Sequence, residues 1–271
     1  MQHMKRAKFQ RKIWEYYKEH KRSMPWRTDV RPYSIVVSEI MLQQTQVKRV
    51  LEIFPRFMKQ FPSFRALAGA SQKEVMRAWQ GLGYNRRALY LHKIAQEIVK
   101  TYSGKVPQDQ NTLQQFPGIG PNTAASICAF VFNQPVVFIE TNIRSVYIHH
   151  FFADVKKVSD SEILKLVEET YDRKNPREWY WALMDYGAVL KKQGENPNKK
   201  SKQYVVQKKF KDSNRELRGN ILKILLHEKK GVSQVSLAQK LRKTTKELQK
   251  PLMQLCTEGF IQHRGRQYYM A

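Results

Sequence analysis

Phe116-Pro117-Gly118-Ile119-Gly120-Pro121 lies between two helix-compatible runs, Asn111 to Gln115 and Pro121 to Phe132. Two glycines without a Cβ let a tight hairpin expose successive backbone N–H groups. The second helix opens immediately afterwards, so its unpaired N–H groups and positive dipole end face the same point. Such a bend is an anion site, and for a chain this basic the matching anion is a DNA phosphate. Glu140, twenty positions beyond Gly120, suggests chemistry on the clamped strand.

The basic character is general. Lys and Arg number 49 against 23 Asp and Glu in 271 residues, a net charge of +26. The excess is +12 over 1–190, +6 over 191–210 and +8 over 211–271, so it is not one tail. An even basic balance points to an extended polyanion, because each cation on a phosphate releases counterions. A soluble protein with a charged surface is the plain alternative. The two cysteines, Cys128 and Cys256, each sit in an apolar run, which suits buried thiols in a reducing compartment. They are too few for a structural zinc or an iron–sulfur cluster. No apolar run approaches the roughly 18 residues of a membrane span, and no signal peptide is visible. A cytoplasmic, nucleoid-associated monomer is the expectation.

At this length two domains are affordable. Helical periodicity dominates from Lys8 to about Leu190. Phe9, Ile13, Trp14, Tyr17 and His20 mark a first face; Ile35, Val36, Ile40, Met41 and Leu42 a second; Val47, Val50, Leu51 and Phe54 follow. Further helical runs are Val75 to Trp79, Ala88 to Val99, Ile163 to Tyr171 and Trp179 to Leu190, punctuated by Gly and Pro. Residues 1–190 therefore read as an all-helical domain, and 191–211 as a basic linker near a polyanion. Residues 212–271 give three short helices, the third interrupted by Pro251, then a hairpin around His263-Arg264-Gly265-Arg266. That is a winged-helix pattern, with Thr244, Lys246 and Lys250 as groove contacts and Arg264 and Arg266 on the wing. A protein-interaction module is the other use of this pattern.

Glu39 is an ionisable group beside Val36, Val37, Ile40 and Met41, where desolvation would raise its pKa and suit a proton donor. A surface helix glutamate is the bland reading. Gln43 and Gln44 carry amides able to reach base edges or fill the space of a displaced base; a solvated helix turn would look the same.

Read in order, PWR at 25–27, PY at 32–33, SEIMLQQTQV at 38–47, GLGYNRRA at 81–88, LHK at 91–93, FPGIGPNTAASI at 116–127 and ALMDYGA at 182–188 carry a resemblance. The chain resembles the adenine DNA glycosylases of the MutY type, within the helix-hairpin-helix superfamily, from about Trp14 to Leu190. The resemblance implies a mostly α, two-lobed glycosylase fold acting on double-stranded DNA with a mismatched or damaged base. The base would be flipped into a pocket. Glu39 matches the acid, and Glu140 stands where an Asp normally stabilises the sugar cation. An added methylene shifts that charge by more than about 1 Å, a displacement that can be costly. An ion pair with Arg144 is the plain alternative for Glu140. Asn122 stands where backbone-cutting relatives carry Lys, and an amide forms no Schiff base, which implies a monofunctional enzyme. Trp26, Arg27 and Asn122 match base-pocket positions, although a buried Trp serves packing equally well. Tyr84, Gln43 and Gln44 match residues that probe the helix near the opposing base; Tyr84 would also fit a core. Gly118, Ile119, Gly120 and Thr123 match the phosphate hairpin, where relatives often hold a monovalent cation, K or Na, on backbone carbonyls.

Two departures qualify the match. After ALMDYGA the relatives usually carry four cysteines for a [4Fe–4S] cluster; here Lys191, Lys192 and the basic stretch follow. The relatives' C-terminal reader of 8-oxoguanine is replaced by the winged-helix pattern. Three functions follow: removal of adenine opposite guanine or 8-oxoguanine; removal of thymine or uracil opposite guanine; and mismatch or damage binding without catalysis.

Overall fold

The computed structural model of the protein describes residues 6–194, 196–206 and 209–271, so the stretch 191–211 expected as a linker lies partly outside them. From the N-terminus run α1 (Arg6–His20), α2 (Pro25–Thr28), α3 (Pro32–Leu42), α4 (Val47–Gln60) and α5 (Phe64–Ala68). Then come α6 (Gln72–Ala78), α7 (Arg86–Thr101), α8 (Gln110–Gln114), α9 (Pro121–Phe132) and α10 (Thr141–Phe151). Next are α11 (Asp160–Thr170), α12 (Pro176–Gln193) and a 3₁₀ turn, Pro197–Lys200. The C-terminal part holds α13 (Asn214–His227), β1 (Val232–Ser233), α14 (Gln234–Leu241), α15 (Thr245–Thr257), β2 (Ile261–Arg264) and β3 (Gln267–Met270). Among the described residues no strand precedes Val232, as the helical periodicity predicts.

The chain forms two compact units, Met1–Ile40 with Val106–Val206, and Met41–Lys105 with Gln207–Ala271. In the first, α1 buries Phe9 and Ile13; the Phe9 ring meets Tyr147 of α10 at 5.3 Å and Trp179 of α12 at 6.0 Å. His20, expected on the same face, is instead exposed, its ring edge-on to Tyr16. Small residues let α9 be buried nearly all round from Ala124 to Phe130. Local caps fix the starts: Ser159 opens α11 through a capping box with Glu162.

In the second unit, α4 buries Val50, Ile53, Phe54 and Phe57, and Phe57 packs on Trp79 at 6.0 Å. Leu51, expected beside them, is exposed. Residues 212–271 share this unit with 41–105. Arg77 donates to the Leu226 carbonyl at 3.0 Å and Lys73 to that of Glu228 at 2.9 Å. Glu258 receives Arg86 at 2.8 Å and Arg218 at 2.5 Å. α15 runs on through Pro251, and an antiparallel sheet of order β1-β3-β2 closes the chain. Its hairpin turns on Gly265 and Arg266, with Gly265 at φ 61, a conformation glycine adopts freely. Cys128 is buried, whereas Cys256, expected to be buried too, is only half so.

Candidate active site

The first unit brings Glu39, Arg27, Ser126 and Glu140 into one electrostatic neighbourhood. Glu39 sits near the end of α3, flanked by buried Ser38 and Ile40. Loss of water pushes its carboxyl up to about 7, and the charge of Glu140 adds to the rise, while Ser126 and Arg27 pull the other way. Ser126, 3% exposed on α9, places its Oγ 2.5 Å from Glu39 Oε2 and 3.0 Å from the Thr123 carbonyl. A hydroxyl has one proton for these two acceptors. With Glu39 ionised, Ser126 donates to the carboxylate. With Glu39 protonated, the carboxyl donates to Oγ and the hydroxyl turns to Thr123. Either state of the acid is therefore satisfied without moving the backbone.

Glu140 is the N-cap of α10. Its Oε1 accepts from the backbone N–H of Asn142 at 2.8 Å and of Ile143 at 3.0 Å, and Asn142 Nδ2 reaches Oε2 at 3.3 Å. A helix N-terminus stabilises the negative charge it holds. The plain alternative is overturned, because Arg144 forms a bidentate pair with Asp160 at 2.7 Å. Lys191 Nζ donates to Asn142 Oδ1 at 2.8 Å; burial pushes its ammonium below the usual lysine range, and the Glu140 charge opposes that shift. Gly187 of α12 makes this closeness possible, since a Cβ there would fall 2.2 Å from the Asn142 carbonyl oxygen.

Arg27 is committed to a buried pair. Its two terminal nitrogens meet the Asp185 oxygens at 2.8 and 2.9 Å, and Arg22 adds a third ionic contact at 2.7 Å. Asp185 is 1% exposed, so two guanidinium groups and the Arg22 backbone N–H satisfy it. Trp26 is buried in α2.

The hairpin is formed as expected between α8 and α9. Gly118 has φ 78, Ile119 is buried, and Gly120 is an N-cap without a side chain, followed by Pro121 at the position where a missing N–H costs nothing. Asn122 is exposed and Thr123 half-buried in the first turn of α9.

The remaining expected residues belong to the second unit. Gln43 is half-buried and Gln44 exposed with φ 54, in the turn after α3. Tyr84 has φ 47, and Arg215 donates to its hydroxyl at 2.5 Å while lying 4.9 Å over its ring. Both turns are fastened by Arg87, 6% exposed, which donates to the carbonyls of Met41 (2.8 Å), Gln43 (2.5 Å) and Gly83 (3.0 Å) and to the Thr45 hydroxyl (2.9 Å). Thr244 caps α15, its hydroxyl engaged with Glu247. Lys246, Lys250, Arg264 and Arg266 are exposed.

The sequence reading assigns no role to Ser126, Asn142, Asp185 or Arg87, and it reads Lys191 only as part of a basic linker. Asp185 left a signal, an acid inside the apolar run ALMDYGA, and Arg87 stood in GLGYNRRA. Among the described residues no group of three or more His, Cys, Asp or Glu is placed to hold a metal. Cys128 belongs to the first unit and Cys256 to the second. No helix among the described residues is long and apolar enough to cross a membrane.

Residues 37–172 match the family described as HhH-GPD superfamily base excision DNA repair protein. The chain is 38% identical over 182 residues to the adenine DNA glycosylase of Mycobacterium tuberculosis (strain CDC 1551 / Oshkosh), spanning 65% of this chain and 59% of that relative's length. Its fold resembles a thermostable thymine-DNA glycosylase (TM-score 0.63, 22% identity, 72% of this chain and 91% of that one). It also resembles endonuclease III in a non-covalent complex with DNA (TM-score 0.55, 17% identity, 69% and 86%). The helix-hairpin-helix of α8 and α9 thus sits in a mostly helical glycosylase fold, and the chain belongs to the HhH-GPD superfamily of base excision DNA repair proteins.

Proposed function

We propose that this protein is a monofunctional DNA glycosylase that removes adenine mispaired with guanine or 8-oxoguanine. The observation that carries this reading is the pair of carboxyl groups in the first unit: Glu39 with a proton still available near pH 7, and Glu140 fixed at a helix N-terminus. Protonation of the extruded adenine by Glu39 lets the bond from C1′ to the base break with its electron pair leaving on the base. The Glu140 carboxylate stabilises the sugar cation that remains. Water then adds at C1′, its proton passing to a carboxylate, and an abasic site is left. Asn122 offers an amide where strand cutting needs an amine, so no covalent adduct to the sugar forms there.

In the same reading the N-terminus of α9 and the Gly118–Gly120 bend hold a backbone phosphate. A monovalent cation on the bend's carbonyls belongs to this reading as well. Gln43, Gln44 and Tyr84 probe the duplex from turns that Arg87 keeps rigid. Residues 212–271 act as a winged helix that adds DNA contacts: the helix order, the sheet order β1-β3-β2 and the exposed Lys246, Lys250, Arg264 and Arg266 support it.

A panel of duplexes, each with one mispair, tests the reading. Abasic product from adenine opposite guanine or 8-oxoguanine, with no adduct trapped by borohydride, is expected. Release of thymine or uracil opposite guanine but not adenine would replace the substrate. Binding without abasic product on any duplex would remove the chemistry.

A further inference from the structure

The chain leaving α12 runs Lys-Lys-Gln-Gly-Glu-Asn-Pro-Asn-Lys-Lys-Ser-Lys over 191–202, a composition that predicts solvent on every side. Asn198 contradicts it at 2% exposure. A buried amide persists only where its hydrogen bonds are made. Asn198 Nδ2 donates to the Thr141 carbonyl at 2.8 Å and to Ser145 Oγ at 2.5 Å, both in the opening turns of α10. The backbone then closes the stretch against Val158: the Val158 N–H donates to the Lys200 carbonyl and the Lys202 N–H to the Val158 carbonyl, each at 2.8 Å. Asn196 accepts from the Asn198 N–H at 3.1 Å and starts the 3₁₀ turn that aims the amide.

Lys191 acts on the same helix start from the other end of the stretch. An ammonium only donates, so Asn142 must turn its carbonyl oxygen to Lys191 and its NH2 to Glu140. Lys191 therefore sets which edge of the Asn142 amide faces the carboxylate. Gly187 lets α12 approach closely enough for this to happen.

We infer that Asn198 and Lys191 are positioning residues for Glu140. That role rests on Glu140 being the charge partner of the proposed reaction. The reasoning is geometric. Glu140 is anchored by the N–H groups of Asn142 and Ile143, so its carboxylate goes wherever the first turn of α10 goes. The hydrogen bonds of Asn198 and Lys191 fix that turn. A misplacement of about 1 Å at a reacting centre can cost on the order of a hundredfold in rate.

The test compares single-turnover base release with duplex affinity in the full chain. Asn198→Ala and Lys191→Met are each expected to slow release at least tenfold while changing affinity for the mispaired duplex less than twofold. Lys191→Arg, which keeps a donor cation, is expected to recover most of the rate. Wild-type rates in both variants would overturn the inference, and so would losses of rate and affinity in parallel. Should Asn198→Ala fail to fold, the Lys191 pair decides. A second readout does not depend on catalysis: amide hydrogen exchange at Asn142 and Ile143 should quicken in Asn198→Ala. If the unsubstituted protein releases no base, the functional reading falls, and unchanged exchange would separately remove the positioning role.

Discussion

Ser126→Ala should move the alkaline limb of activity upward. In the ionised state of Glu39 the Ser126 hydroxyl donates to Oε2 at 2.5 Å, and this bond lowers a carboxyl pKa that burial has raised to about 7. A hydrogen bond to a charged group contributes about 1.5–3 kcal/mol, and one pKa unit corresponds to about 1.4 kcal/mol, so its loss raises Glu39 by about 1–2 units. The sign is unambiguous, because the deleted bond favours the charged form. In the proposed mechanism release requires protonated Glu39, so it should persist to about pH 8–9 instead of failing above about 7. The substitution removes one oxygen from a buried position and leaves little space. The assay is single-turnover release of adenine from a mispaired duplex at pH values across both limbs. The plateau rate is expected to fall, because protonated Glu39 then has no acceptor at Ser126 to orient it. A limb that stays in place, or moves to lower pH, would refute the role given to the Ser126 hydroxyl.

Other substitutions test separate parts of the structure. Glu39→Gln should abolish base release and leave duplex affinity within twofold. Glu39 is raised from 4.5 to about 7, which costs folding stability as pH rises through that window, so the amide should gain up to about 3 kcal/mol above pH 7, read by denaturant melts at pH 5 and 8. Arg87→Met leaves the carbonyls of Met41, Gln43 and Gly83 without their donor; at about 1–3 kcal/mol for each, a loss of at least about 3 kcal/mol is expected by the same melts. Gly187→Ala should cost about 1–3 kcal/mol from overpacking and slow release at least tenfold, and an unaffected rate would mean the Asn142 turn yields harmlessly. Lys246→Ala with Lys250→Ala should reduce the slope of log affinity against log salt by about 2 if both touch phosphate.

Much of this architecture is legible from periodicity. The helical runs over 75–79, 88–99, 163–171 and 179–190 correspond to α6, α7, α11 and α12, and the glycine bend appears where two glycines and a proline allow it. α10 left no clear start, because its N-cap is Glu140 and glutamate is not among the residues that ordinarily announce a helix. The 191–202 stretch was equally opaque. The burial of Asn198 depends on its meeting a helix start more than fifty residues earlier, a contact that charge content conceals. Glu39 was visible as an acid in apolar company, but Ser126 was not, since the value of that hydroxyl depends on α9 lying against α3 in the fold. Arg87 likewise reads as one cation among many until its carbonyl partners are assembled.

At position 140 the resemblance to the glycosylases implies an aspartate, and the structure shows how the longer glutamate is held. A longer side chain threatens the charge partner only if its extra methylene carries the carboxylate away from the helix end. It does not do so here, because position 140 is extended (φ −127, ψ 177) and Oε1 alone takes both backbone N–H groups. Capping is thus complete with one oxygen, and Oε2 accepts only the longer 3.3 Å bond from Asn142 among the described contacts. The negative charge stays at the helix start, near enough to Glu39 to help keep that acid protonated. The consequence is a division of labour by environment. Loss of water pushes one carboxyl toward keeping its proton, while the other is held in place by the amides of a helix start. What the added methylene changes is the direction in which Oε2 projects, and that direction is fixed by Asn142 and by whatever holds Asn142 in place.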